Sequence, residues 1–381
     1  VTALQEGIVA TLKETLDART RVADALARPI DAGRIRCVAC GHRCPIPDGA
    51  VGVCKVRGNR GGALYVPWGY VAGVQCDPIE KKPFFHVAPG ALAYSFGMFG
   101  CDLHCGYCQN WVTSQALRDP EAVSPPRATD ARSLVDQALA LGARAVVSTY
   151  NEPLITAEWS VEVFRHARAA GLLTGFVSNG NGTPEALAFL RPWIDLYKVD
   201  LKSFDDRRYR ELGGRLAPIL DTIRALHDMG VWVEVVTLLV PGFNDDPAEL
   251  GALTAFLAGV SPDIPWHVTA FHSDYRMDAT PSTPARMLRT AADIGREAGL
   301  RFVYAGNRPG EVDSLEDTCC PSCRRTLVAR TSYLVRAYDV TPDGRCPGCG
   351  TSIPGRWDRA FAPQRSAVPF HPPGPWRLQG P

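Results

Sequence analysis

The chain has 381 residues, 46% of them apolar and 21% charged, with a formal net charge of +1. It is long enough for one large domain with appendages, and its charge balance argues against nucleic-acid or membrane-surface partners. No apolar run reaches the ~18 residues of a membrane span, and the charged N-terminal stretch does not read as a signal peptide. These features point to the cytoplasm, where grouped cysteines bind metal rather than pair as disulfides.

In chain order, residues 1–34 predict a helix, since Leu4, Ile8, Leu12 and Leu16 recur every four residues. Residues 35–90 are rich in Gly, Pro and Cys and predict a small Cys-rich metal-binding module. From 91 to 312, strand-length apolar runs alternate with helical stretches. The strands are ALAYSFGMF, ARAVVSTY, LLTGFVS, DLYKVDL, VWVEVVTLLV, WHVTAFH and RFVYAG. The helices include ARSLVDQALALG, TAEWSVEVFRHARAAG, LAPILDTIRALHDMG and PARMLRTAADIGREAG, each closed by a C-capping Gly. Strands that are nearly continuously apolar are buried on both faces, as in parallel sheets. Such βα units in series predict an α/β fold, a partial (β/α) TIM-like barrel of six or seven parallel strands. Residues 313–358 form a second Cys-rich unit and 359–381 a Pro-rich tail.

Twelve of the 13 cysteines fall in three groups, and Cys76 stands alone. Cys320-x2-Cys323 and Cys346-x2-Cys349, separated by 22 residues, have the spacing of a zinc ribbon, with Cys319 to spare. Cys37, Cys40, Cys44 and Cys54 also offer four thiolates; zinc is expected there, with a second iron–sulfur cluster as the alternative. His42, beside them, reads as a solvated side chain. The middle group, Cys101, Cys105 and Cys108 in GCDLHCGYCQNW, has only three thiols. Three thiolates on a [4Fe–4S] cluster leave one iron without a protein ligand and open to a small chelating molecule. His104 lies within the motif but should face away from the flanking thiols. The motif follows a strand at its C-terminal end, where chemistry sits in barrels of this kind.

The C-x3-C-x2-C spacing, with Tyr107 before the last cysteine, resembles the signature of the radical S-adenosylmethionine (SAM) superfamily. The resemblance implies that SAM chelates the open iron through its amine and carboxylate. It further implies that the reduced cluster cleaves SAM to a 5′-deoxyadenosyl radical, which abstracts hydrogen from a small-molecule or protein or peptide substrate. DPIEKKPFFHVAPG (77–90), TYNEP (149–153), SNGN (178–181), VDLKSF (199–204), LLVPGFND (238–245), WHVTAFHSDYRM (266–277) and VYAGN (303–307) extend the match in order and spacing. Together with the cysteine motif they resemble the AmmeMemoRadiSam-system radical SAM family, which is similar to pyruvate formate-lyase activating enzymes. That resemblance implies an electron donor such as ferredoxin or flavodoxin and partners of Memo-like or AMMECR1-like type. It leaves open whether the reaction is glycyl-radical activation or a small-molecule conversion. The rival from another class is a non-catalytic iron–sulfur or zinc module for electron transfer or binding; it needs a fourth cluster ligand and no cofactor cavity.

The resemblance also nominates residues. Glu152 matches an acidic position that binds the SAM ammonium in the superfamily; alternatively it stabilises a helix N-terminus beside Pro153. Asn151 shapes the same turn. Ser178 and Asn179 offer polar groups to ribose or carboxylate oxygens, or simply make a turn. Asp200 and Lys202 stand two apart and so on one strand face, where an unpaired charge is costly; they are expected to contact SAM or substrate. Glu234 and His272 are expected to face the same cavity, and Thr237, of opposite parity to Glu234, is not. Tyr107 packs near the adenine or shields the cluster from water. The charged run DPIEKKP reads as a docking face without a catalytic role.

Overall fold

The computed structural model describes residues 11–31, 33–119 and 125–357. The helix expected over residues 1–34 is replaced, among the described residues, by the short α1 (Leu12–Asp17), started by a capping box between Thr11 and Glu14. Two strands follow, β1 (Thr20–Val22) and β2 (Ala27–Asp31). Pro29 lies in β2, where a helix could not have continued through it. β3 (Arg34–Cys37), β4 (Pro45–Ile46), β5 (Gly58–Arg60), β6 (Ala63–Pro67) and β7 (Tyr70–Val71) complete this region. It contains two antiparallel three-stranded sheets, β1-β6-β5 and β2-β3-β4.

The main sheet begins with β8 (Gly73–Pro78) and β9 (Leu92–Gly97). After α2 (Trp111–Ser114) and β10 (Arg127–Ala128), strands and helices alternate: α3 (Ala131–Ala140), β11 (Ala145–Ser148), α4 (Ala157–Ala169), β12 (Leu173–Ser178), α5 (Pro184–Leu190) and β13 (Leu196–Asp200). Then come α6 (Asp206–Glu211), α7 (Leu216–Asp228), β14 (Trp232–Leu239), α8 (Pro247–Val260), β15 (Trp266–Ala270), α9 (Ala285–Glu297) and β16 (Val303–Gly306). The sheet order is β16-β15-β14-β13-β12-β11-β9-β8. Seven of its strands are parallel, and β8 joins β9 antiparallel at one edge. All seven strands expected from the sequence are present.

Spatial order follows chain order without a reversal. Right-handed crossovers then put the connecting helices on one face of the sheet. That outer face carries Phe176, Tyr197, Val199, Val233, Val235 and Trp266, all buried in the main core. Thr237 belongs to it and accepts a hydrogen bond from Trp266 Nε1 at 3.0 Å. Side chains of the other parity form the inner face. Register aligns Val177, Lys198 and Glu234 in one row, and Asp200, Val236, His267 and Tyr304 in the next.

Two small units brace this sheet. In the N-terminal unit Arg43 grips Glu185 at the start of α5 through two bonds of 2.8 and 2.6 Å. Arg57 grips Glu158 in α4 through bonds of 2.6 and 2.7 Å. The C-terminal unit is β17 (Thr318–Cys319), β18 (Thr326–Thr331) and β19 (Leu334–Tyr338), in one antiparallel sheet. It docks through the buried Arg330, which donates to Phe85 O at 2.7 Å and is held within the unit by a 2.8 Å bond to Thr318 Oγ1. The expected tail at 359–381 lies outside the described residues.

Candidate active site

β9 ends at Gly97, and the three-cysteine loop follows it at the C-terminal edge of the sheet. Cys105 and Cys108 line a cavity of about 400 Å³. Cys101 lies beside them, half-buried, its sulfur accepting a hydrogen bond from Leu103 N at 3.4 Å. Ser114 Oγ lies 3.1 Å from Cys108 Sγ. Burial raises all three thiols, Cys105 to about 12, and the Lys202 ammonium opposes the rise at Cys105 and Cys108. His104 is turned away: a Cβ built on Gly213 would lie 2.3 Å from its ring. Three thiols on one loop beside a cavity, without the neighbouring imidazole, suit a cluster that keeps one iron open.

The inner face of β13 supplies the polar wall of this cavity. Asp200 is bonded to Lys198 and lies 3.7 Å from Lys202 Nζ. Burial works to raise the Asp200 carboxyl, but the two lysines outweigh it and hold it below its ordinary value. Lys198 was not singled out from the sequence, although it stands two residues before Asp200 and shares its parity. Tyr107 also lines the cavity, its ring 5.6 Å from that of Phe243, edge to face.

Asn151, Glu152, Ser178 and Asn179 are brought together, but none lines the cavity. Glu152 accepts from Leu154 N (3.0 Å), Ser178 Oγ (2.7 Å) and Asn179 N (2.7 Å). Burial and then the Asp102 charge push Glu152 up to about 8. Asn151 Oδ1 accepts from Met98 N at 2.9 Å. Asn179 and Asn181 each donate to the Asp102 carboxylate, at 2.7 and 2.8 Å. Asp102 sits between the first two cysteines of the motif and was overlooked in the sequence. It ties the loop after β12 to the cysteine loop.

His272 is a correction. It lies just past the end of β15, exposed, with Nδ1 3.3 Å from Ser273 O, and does not reach the cavity. His267, inside β15, takes its place on the inner face. Glu234 is buried away from the lining. It accepts from Phe85 N (2.9 Å), His86 N (3.0 Å), Trp232 Nε1 (3.0 Å) and His267 Nε2 (2.6 Å). The expectation for DPIEKKP also changes, because Glu80, Lys81 and Lys82 line the cavity.

The other cysteine groups flank this centre. The sulfurs of Cys320, Cys323, Cys346 and Cys349 all lie within 4.8 Å of one another, a set able to bind a metal ion. Cys319 points elsewhere, 3.9 Å from Thr326 Oγ1. Cys37, Cys40 and Cys54 are buried and Cys44 half-buried, and Arg57 Nε donates to Cys37 Sγ at 3.2 Å. His42 bonds to Asp102 O at 3.1 Å, so it links two modules instead of facing solvent alone.

Comparison with known proteins agrees with this arrangement. Residues 96–252 match the radical SAM superfamily. An uncharacterized protein of Methanocaldococcus jannaschii is 33% identical over 329 residues, which cover 85% of this chain and 96% of that protein. A pyruvate formate-lyase-activating enzyme of Staphylococcus epidermidis is 27% identical over 201 residues, 48% of this chain and 76% of that enzyme. Among solved structures, a domain of the pyruvate-formate lyase-activating enzyme of Bacteroides vulgatus aligns with TM-score 0.38 at 19% identity, covering 42% of this chain and 98% of that one. A three-cysteine loop at a strand's C-terminal end, a polar cavity beside it, the family match over residues 96–252 and the two sequence relatives lead to one conclusion: the chain belongs to the radical SAM superfamily and is an enzyme of that class.

Proposed function

We propose that Cys101, Cys105 and Cys108 hold a [4Fe–4S] cluster and that SAM binds beside it, so that catalysis begins with hydrogen abstraction from a small-molecule or protein or peptide substrate. The observation that carries this reading is the placement of Cys105 and Cys108 in one cavity wall with Lys198, Asp200 and Lys202. When bound, the cluster supplies the electron that cleaves SAM to a 5′-deoxyadenosyl radical.

The chain's own residues bind, orient and shield. Asp200, kept ionised by its two lysines, accepts hydrogen bonds from ligand hydroxyl or ammonium groups. Lys202 donates to a ligand carboxylate and offsets the charge of the nearby Cys105 thiolate. Tyr107 and Phe243 exclude water from the thiol side. Asn151, Glu152, Ser178 and Asn179 act as positioning residues, since their polar atoms are engaged with the protein and, through Asp102, with the cysteine loop.

The ordered motifs support placing the chain in the AmmeMemoRadiSam-system family, with Memo-like or AMMECR1-like partners and a ferredoxin or flavodoxin as electron donor. In this reading the main sheet is the partial barrel over 91–312, and the unit over 313–358 is a zinc ribbon. The N-terminal module over 35–90 binds zinc or a second iron–sulfur cluster, and the protein works in the cytoplasm. Among the described residues no helix is long and apolar enough to cross a membrane.

The test is anaerobic. Reconstituted protein is mixed with SAM and dithionite, and 5′-deoxyadenosine is quantified for wild type and Cys105→Ala. Product from wild type alone is expected. Equal product from both, or none from wild type with its cluster present by spectroscopy, overturns the reading.

A further inference from the structure

The cavity is lined by two lysine pairs, each sharing one aspartate. Lys198 and Lys202 share Asp200 near the cysteines. Lys81 and Lys82, in the segment after β8, both reach Asp77 Oδ2 at 3.2 Å. Asp77 does not itself line the cavity. Glu80 adds no free negative charge, because Arg330 lies 3.6 Å away and both side chains are fully buried. Four lysines therefore line the cavity, held by two aspartates of which only Asp200 lines it.

The cofactors do not remove this excess. Three thiolates on a dicationic cluster core leave one negative charge. The ammonium and sulfonium of SAM against its carboxylate leave one positive charge, so cluster and SAM cancel. A surplus of positive charge remains for a third component, and on side chains as buried as Lys82 and Lys198 such a surplus is costly unless a counter-charge is bound.

The second lysine pair has the features of a built subsite. The Lys82 side chain is 4% exposed, yet the hydrogen bond to Asp77 uses only one of its three donors. Its ammonium lies 5.6 Å from the centre of the Tyr150 ring. Tyr150 lines the cavity with φ at +71°, a left-handed conformation that is strained for a tyrosine. Its hydroxyl is pinned to Ser95 Oγ at 2.8 Å. The strain is maintained where the ring walls the lysine pair.

We propose that the substrate is a small molecule held by an anionic group, a carboxylate or a phosphate, seated on Lys81 and Lys82 against Tyr150. This rests on the radical SAM reading of the same cavity and selects the small-molecule branch of it over a protein or peptide. Burial lowers the Lys82 ammonium, and a bound anion would favour its charged form.

The test is binding, so it is independent of SAM cleavage. Inorganic phosphate, malonate and neutral malonamide are titrated by calorimetry into reconstituted, SAM-saturated protein at fixed ionic strength. The proposal expects phosphate or malonate to bind and malonamide not to, with affinity at least tenfold weaker in Lys82→Gln. Tighter binding of phosphate or of malonate identifies the anion. Lys81→Gln, at a side chain 27% exposed, repeats the comparison should Lys82→Gln fail to fold, and a severalfold weakening is expected. Absence of binding by both anions, binding unchanged in the variants, or equal binding of malonamide overturns the proposal. None of these results touches the radical SAM reading, which fails only if wild type forms no 5′-deoxyadenosine or Cys105→Ala still forms it.

Discussion

The side-chain amide of Asn179 donates to Asp102 Oδ1 at 2.7 Å, joining the loop after β12 to the cysteine loop after β9. Asn181 makes the companion bond to Oδ2. Both amides are buried. Asp102→Ala leaves them without an acceptor, an expected loss of about 2–4 kcal/mol in stability. Thermal unfolding of metal-loaded protein measures this, and iron per chain should fall in the same variant because the loop bearing Cys101 loses its anchor.

Arg57 and Glu158 form a buried bidentate pair between the N-terminal unit and α4. Arg57→Met strands a buried carboxylate and removes the donor to Cys37, so a loss of about 3–5 kcal/mol is expected. The double variant Arg57→Met/Glu158→Leu should recover much of it, since neither charge then remains. Denaturant titration of the two variants checks both statements.

Asp200→Asn keeps the shape of the β13 wall but deprives Lys198 and Lys202 of their shared anion. The rate of 5′-deoxyadenosine formation should fall roughly 10- to 100-fold, a range typical of residues that tune a metal centre. Because the group also orients the ligand, KM for SAM should rise as well. Steady-state kinetics separates the two effects, and a change in kcat alone would exclude ligand orientation by Asp200.

His86 makes stability pH-dependent. Burial lowers it from 6.5 to about 4, with Glu234 opposing and Arg330 and His267 reinforcing the shift. Its Nδ1 lies 2.6 Å from Pro354 O and its Nε2 2.6 Å from Tyr304 OH, so the neutral ring donates to one and accepts from the other. The unfolded chain binds the proton first as pH falls, so this contribution is complete above about 6.5 and is lost as pH drops toward 4. The loss is on the order of 3 kcal/mol. Unfolding midpoints between pH 4 and 7 should show this slope in wild type and lack it in His86→Phe.

The parallel strands and their helices were legible in the sequence because apolar runs and Gly caps record burial directly. α1 was overextended because the four-residue apolar spacing, which stops at Leu16, was carried on to residue 34 although Pro29 lies in a strand. Asp200 and Lys202 could be found from parity, and the same rule reaches Lys198. His272 was chosen over His267 because the end of β15 is not marked in WHVTAFH; only pairing with β16 shows that His267 is the one inside the sheet. In the sequence Lys81 and Lys82 read as part of a docking face without a catalytic role. Their charge partner Asp77 is local, but the cavity they line is walled by residues far along the chain, such as Tyr150 and Asn307, which local composition does not record. The role of Asp102 was hidden for the same reason, since its amide partners lie 77 and 79 residues away.

The segment between β8 and β9 has a consequence for biosynthesis. Phe85 and His86 are made early but are tied down by Glu234, 149 and 148 residues later, by Arg330, 245 residues after Phe85, and by Pro354, 268 residues after His86. Contacts of such separation form slowly, and during vectorial synthesis they wait for the ribosome to finish. The bottom of the cavity is therefore completed last. Until then Phe85 and His86 lack the partners that fix them, whereas the buried cluster that holds Phe84 has its last member at Leu196.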